Sequence, residues 1–209
     1  MSDWYAKRQG PAAHETRGKT TQQRLRRLDQ FLAAYDPALL GRPGAVAVDL
    51  GYGRVPITTI EWFRRVKGVH PDVRMIGVER EVERVNAAKA MLTEELVDTG
   101  LGFRMGDFQL PIETGESVVL CRAMNVLRQY EESAAVAAHS KVVAQLADGG
   151  LLAEGTSNPL GRTMVVALLR NRGGAVLSEG LLFACSLRES VEPRSFQAVL
   201  PKHLIHRVV

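Results

Sequence analysis

The chain has 209 residues, 27 basic against 23 acidic, a formal charge of +4 and hydrophobic residues at 45%. That length and balance fit one ordinary globular domain with its own core, and they argue against a wholly disordered chain. Two cysteines, Cys121 and Cys185, both in apolar runs, read as buried reduced thiols rather than as a disulfide framework, and no Cys/His cluster has metal-ligand spacing.

The first 30 residues hold seven bases and three acids, leaving twenty of each in the rest. The basic excess therefore belongs to the N-terminus. Residues 1–19 are polar and aperiodic and read as an arm. Thr20 or Thr21 is the expected N-cap of a helix whose Leu25, Leu28, Leu32 and Tyr35 recur at helical spacing, with Arg26 and Arg27 on the opposite side. The plainer reading of those arginines is a solvated face; the functional one is a grip on an acidic acceptor such as RNA. Asp36-Pro37 and Gly41-Arg42-Pro43-Gly44 then break the chain, so residues 1–43 form an N-terminal extension and 44–209 the main domain.

From residue 45 strands and helices alternate. AVAVDL (45–50) is an apolar run bounded by glycines, expected as a strand buried on both faces. A helix follows over 58–66, with Ile60, Phe63 and Val66 on one side, then a strand over 73–79. Val82, Val85, Ala88, Leu92 and Leu96 predict one long helix ending near Gly100. Strands are expected at 101–107 and 117–122, and Ala135, Ala138, Val142 and Leu146 mark a further helix. Residues 151–155 read as a fifth strand, 162–171 as a helix and 181–187 as a sixth strand, with one more possible in the tail LPKHLIHRVV. Alternation of this kind predicts an α/β doubly wound, mostly parallel sheet whose ligand sits at the carboxyl ends of the strands.

Chemistry concentrates at three of those ends. Asp49, Gly51, Tyr52 and Gly53 lie in VDLGYG after the first strand. Glycine there permits a tight turn and a close approach to a ligand. A dinucleotide fingerprint would need a third glycine where Pro56 stands, and the Gly-Lys-Ser/Thr of a Walker loop is absent. Glu79 ends the second strand, where a carboxylate can accept both hydroxyls of a ribose, and Asp107 ends the third, where it can accept from an adenine amino group.

On VDLGYG, the acid of IGVE and GDF, residues 44–187 resemble class I S-adenosylmethionine-dependent methyltransferases. TRGKTTQQRLRRLDQFL and DLGYGRVPITTIEW resemble, more loosely, an actinobacterial methyltransferase-like group of unassigned substrate. The resemblance implies a Rossmann-like methyltransferase fold with an N-terminal helical extension, S-adenosylmethionine as cofactor and methyl transfer as the reaction. It places Gly51 and Gly53 along the methionine and ribose, with Asp49 and Tyr52 in the same loop and Asp49 anchoring it. Glu79 would hold the ribose, Arg80 would flank the adenine, and Asp107 with the Phe108 amide would read the adenine edge. A backbone carbonyl of Arg122 or Ala123, beside Met124, would meet the methionine amino group. The third glycine is Val55 here, and RAMNVLRQY replaces the Asp/Asn-Pro-Pro-Tyr/Phe of many amino-methylating relatives.

No general base is identifiable. Asn125, Tyr130, Glu154, His203 and His206 are candidates, each individually better read as structural, and His139 reads as a surface or packing residue. Arg122, Arg128 and the N-terminal bases either hold an anionic acceptor or make ion pairs. The acceptor is open between RNA, through the basic arm, and a small molecule or protein. A cofactor-binding protein without turnover and a nicotinamide-dependent oxidoreductase are the competing functions. No secretory signal or membrane span is visible, so a cytoplasmic location is expected, and an oligomer is possible. The family's fold closes with an antiparallel seventh strand, for which the tail leaves little room.

Overall fold

The computed structural model describes residues 21–188 and 190–207; the expected arm over 1–19 and the N-cap candidate Thr20 lie outside them. In chain order the elements are α1 (Arg26–Tyr35), α2 (Pro37–Leu40), β1 (Ala45–Leu50), α3 (Ile57–Lys67), β2 (Arg74–Glu79), α4 (Val82–Ala90), α5 (Glu94–Asp98), β3 (Leu101–Met105), β4 (Ser117–Met124), α6 (Glu132–Val143), β5 (Leu151–Ser157), β6 (Thr163–Arg172) and β7 (Ala175–Cys185). Among the described residues, three short 3-10 segments, Leu127–Gln129, Pro193–Val199 and Lys202–Arg207, complete these elements. No helix among the described residues is long and apolar enough to cross a membrane.

One open seven-stranded sheet runs β3-β2-β1-β4-β5-β6-β7. The first five strands pair in parallel, while β6 is antiparallel to both β5 and β7. The doubly wound, mostly parallel α/β sheet expected from the alternation is therefore present. Every residue of β1 and β5 is buried, because the helices cover both faces and each face closes its own core.

Several boundaries differ from the sequence pattern. Helix α1 begins after Leu25, not at Thr20 or Thr21: Gln23 sits at φ +62, Thr21 Oγ1 donates to the Pro159 carbonyl and Gln23 N to the Glu61 carboxylate. Tertiary bonds thus take the groups that would have started the helix. The long helix over 82–96 is broken in two, because Thr93 caps a new helix through Leu96 N. Residues 162–171, expected as a helix, form β6 instead. MVVALL carries apolar side chains at every position and is buried on both faces, a pattern that periodicity alone cannot assign. Gly173 and Gly174 at φ +58 and +87 make the two-residue hairpin turn that demands a strand on each side. The strand expected at 181–187 is the second half of β7, and the described part of the tail forms a 3-10 turn over Lys202–Arg207 rather than a strand. The antiparallel strand missing from the tail is thus β6, lying directly beside β5.

The described part of the N-terminal extension shares the main core. Leu25, Leu28, Leu32, Leu39 and Leu40 are buried in one cluster with Trp62, Phe63 and residues of β1, β4 and β5.

Candidate functional site at the carboxyl ends of the strands

The chain leaves β1 toward β2 on one side and returns through β4 on the other, so the sheet's switch point lies beyond the carboxyl ends of β1 and β4. Parallel register sets the neighbouring strand ends level: Leu50 lies opposite Val78, and Glu79 opposite Met105. The loop after Leu50, Glu79, and the loop carrying Asp107 thus form one continuous edge. A larger concavity of about 580 Å³ opens between Lys67, Arg74 and Arg104. It lies at the amino ends of β2 and β3, away from the carboxyl ends where an open α/β sheet binds its ligand.

Gly51 and Gly53 both take positive φ, +72 and +82. A Cβ at Gly51 would meet Val126 Cγ2 at 2.6 Å, whereas one at Gly53 would meet nothing within 4 Å. The first glycine is therefore a packing requirement and the second faces open space. Gly51 N donates to the Val78 carbonyl, 2.7 Å. Gly53 N donates to Glu79 Oε2 at 3.0 Å, while Arg80 N donates to Oε1 at 2.9 Å. Buried Glu79, with Arg84 3.8 Å away, consequently links the glycine loop to the second strand end. The Arg80 side chain points to solvent near Glu81. Tyr52 turns inward, its ring edge-on to Phe103 at 5.1 Å, and burial raises its hydroxyl well above the usual tyrosine range.

Asp107 lies in the loop beyond β3, half-buried, with Oδ1 accepting from Gln109 N at 2.7 Å. Phe108 is buried against Tyr130, ring centroids 5.4 Å apart, and its carbonyl accepts from Gln145 Nε2. Ala123 is buried in β4, and Asn125 follows at φ +61. Asparagine tolerates that conformation better than most residues. Its Oδ1 accepts from Ser157 N and its backbone N–H donates to the Gly155 carbonyl, so the end of β4 is held to β5 at the switch point.

Asp49 and Arg122 are partners, opposite each other in the β1–β4 register. Arg122 Nε and Nη2 donate to Asp49 Oδ1 and Oδ2 at 3.0 and 2.7 Å, and Thr59 Oγ1 donates to Oδ2 at 2.6 Å. Arg122 Nη1 also donates to Asp29 of α1, which accepts from Arg65 as well. The guanidinium lies 4.3 Å from the Trp62 ring centroid. Two arginines and two aspartates thus balance in charge under the glycine loop. Burial raises the Asp29 carboxyl to about 6, against the pull of Arg122 and then Arg65. Arg122 is wholly buried, so its side chain cannot grip an acceptor; that expectation is corrected. Arg128 donates to the Ala198 carbonyl.

The switch point is roofed. Arg24 and Leu25 close over Gly51, Thr58, Met124 and Asn125, leaving a cavity of about 40 Å³. Arg24 Nε and Nη2 donate to Ser157 Oγ and its carbonyl at 3.1 and 3.2 Å, and Arg27 donates to the Gly161 carbonyl at 3.0 Å. Composition showed a basic segment here; that its bases hold the β5–β6 loop was not legible.

The other base candidates fall elsewhere. Tyr130 packs on Phe108, and the His206 side chain lies outside the described ones. Glu154 and His203 come together with His139, which is buried 3.2 Å from Glu154 Oε2 rather than on the surface. These three are 15 and 49 residues apart along the chain, a separation that no local spacing rule detects. Cys121 is buried and Cys185 half-buried, both free, and burial pushes the Cys121 thiol up.

No protein-family model matches the chain, and no curated protein does. Among solved structures it is similar to a Plasmodium falciparum protein named for protein-L-isoaspartate O-methyl transfer, with S-adenosyl-L-homocysteine bound. That likeness has 18% identity and a TM-score of 0.45, over 76% of this chain and 71% of that one. A SAM-bound amino pentose methyltransferase from Micromonospora echinaspora is similar at 17% identity and TM-score 0.48, over 85% and 82%. A geranyl diphosphate methyltransferase in complex with SAM is similar at 22% identity and TM-score 0.43, over 63% of this chain and half the length of that one.

Proposed function

We propose that the chain binds S-adenosylmethionine along the carboxyl ends of β1, β2 and β3 and directs its methyl group to an acceptor held at the switch point. One observation carries this reading: the buried Glu79 carboxylate at the second strand end is bonded to Gly53 N, 3.0 Å, beside the open side of the glycine loop. Two acids, Glu79 and Asp107, stand at these strand ends beyond the charge-balanced Asp49–Arg122 pair. Such an edge suits a ligand with ribose hydroxyls and a positive sulfonium, and disfavours a pyrophosphate. Pro56 at the N-cap of α3 reinforces this, since it removes an amide that a dinucleotide phosphate would use.

The cofactor supplies a methyl carbon on a sulfonium, open to in-line displacement by the acceptor's nucleophile. The protein's part is alignment and exclusion of water. Glu79 would exchange its bond to Gly53 N for the ribose hydroxyls, and Asp107 would face the adenine edge. Asp49 keeps the glycine loop in place through Arg122. The 40 Å³ left beneath Arg24 and Leu25 is far below the ~300 Å³ of a small-molecule pocket, so this roof must swing aside for the methionine half to enter.

A second reading, cofactor binding without turnover, draws support from that same closed roof. Calorimetry with S-adenosylmethionine, S-adenosylhomocysteine and NAD, followed by transfer of labelled methyl to RNA, protein and metabolite fractions, separates the readings. The sulfur compounds are expected to bind and NAD is not. Glu79→Ala is expected to weaken binding by about 1.5–3 kcal/mol, the worth of charge-assisted hydrogen bonds. If neither sulfur compound binds, the proposal fails; binding with no labelled product in any fraction leaves the second reading.

A further inference from the structure

A second cluster of ligand-type side chains lies on the other face of the sheet. Glu154 projects from β5 into the core that packs α6, with Leu152 two residues before it. His139 comes down from α6, and His203 comes from the 3-10 turn Lys202–Arg207. One ligand atom of each lies within 4.8 Å of the others. His139 Nε2 is 3.2 Å and His203 Nδ1 3.9 Å from Glu154 Oε2. The two imidazoles stand perpendicular, centroids 4.7 Å apart. Ligands about 2.0–2.1 Å from a tetrahedral ion sit ~3.3 Å from each other, so small side-chain adjustments bring all three onto one centre.

The burial of Glu154 favours a cation beside it. Glu154 is 1% exposed, and its Oε1 has no hydrogen-bond partner. No arginine or lysine among the described residues pairs with it; only the two histidines approach. A buried carboxylate with an unsatisfied oxygen is costly. An ion pair with protonated His139 would satisfy Oε2 alone and leave Oε1 without a partner. Thr156, on the same face of β5, adds another buried oxygen without a partner, which suits a water completing a coordination shell.

We propose that His139, Glu154 and His203 bind one divalent first-row transition ion, zinc by the character of two imidazoles and a carboxylate. The ion fastens the segment 202–207 to α6 and β5. It lies across the sheet from the Asp49–Arg122 network, since Glu154 is registered with Ala123 and not with Arg122. The site therefore lies apart from the strand-end edge proposed for the cofactor.

The test is metal uptake by the full chain, without cofactor. Protein stripped with chelator is titrated with Zn²⁺ by calorimetry and with Co²⁺ by visible absorption, and its melting temperature is followed. One tight equivalent, ligand-field bands of cobalt bound to nitrogen, and a higher melting temperature are expected. His203→Ala and Glu154→Gln are each expected to weaken binding by at least about tenfold. Failure to take up one equivalent, a cobalt spectrum indistinguishable from the aquo ion, or uptake undiminished in both variants overturns the assignment. The wild-type spectrum decides even where a variant does not fold.

Discussion

Arg122 holds together three things that the chain separates by many residues: Asp49 before the glycine loop, Asp29 of α1 and the face of Trp62. Its value lies less in attraction than in what its loss would strand, because two buried aspartates would keep their desolvation cost with fewer partners. Arg122→Met is therefore expected to lower stability by about 3–5 kcal/mol, read as a shift in urea midpoint at unchanged slope. A shift below about 1 kcal/mol, the range of surface pairs, would show the network to be dispensable. From the residues alone, Arg122 was open between a donor for an anionic acceptor and a member of an ion pair, and the second is what it is. Nothing local in SVVLCRAM says that its side chain faces Asp49, because that depends on the β1–β4 register. Glu79 was legible, since a carboxylate closing an apolar strand stands out against IGV; its bond to Gly53 was not.

At the scale of elements, the segment that leads into α1 does something its composition conceals. Arg27 read as solvated charge, yet it holds the loop after β5, and Arg24 beside it bonds Ser157 and covers the switch point. The contact is close: a Cβ on Gly161 would stand 1.8 Å from the Arg24 carbonyl oxygen, at φ +65. Gly161→Ala is thus expected to lift the roof, costing stability while speeding association of S-adenosylhomocysteine in stopped-flow measurements. An unchanged association rate together with a lowered melting temperature would mean that the roof does not gate the site. In the hairpin β6–β7, residues 162–171, expected as a helix, form a strand because the Gly173-Gly174 turn at φ +58 and +87 pairs them with β7.

For the whole molecule, the question is whether the extension is separable. Five of its leucines are buried in the main core, each contributing about 1.5–3 kcal/mol. Their sum rivals the roughly 5–15 kcal/mol by which a domain is stable. A chain beginning at Gly44 is accordingly expected to lack a cooperative thermal transition. Were it to melt cooperatively and bind the cofactor, the extension would be an accessory and its contacts superficial.

Strand–helix alternation, breakers such as Gly41-Arg42-Pro43-Gly44, and acids at the ends of apolar runs are local properties, and they determined the parallel sheet and the edge where its ligand belongs. Periodicity and turn chemistry act over a few residues, which is why a sequence carries them openly. The antiparallel closure through β6, the burial of Arg122, the roof made by Arg24 and the meeting of His139, Glu154 and His203 were decided only in three dimensions. Each depends on register or packing between segments far apart in the chain, where the energy of a contact exists only after folding brings its partners together. The +4 charge follows the same division: its place at the N-terminus is written in the residues, and the use of Arg24 and Arg27 in holding the β5–β6 loop is not.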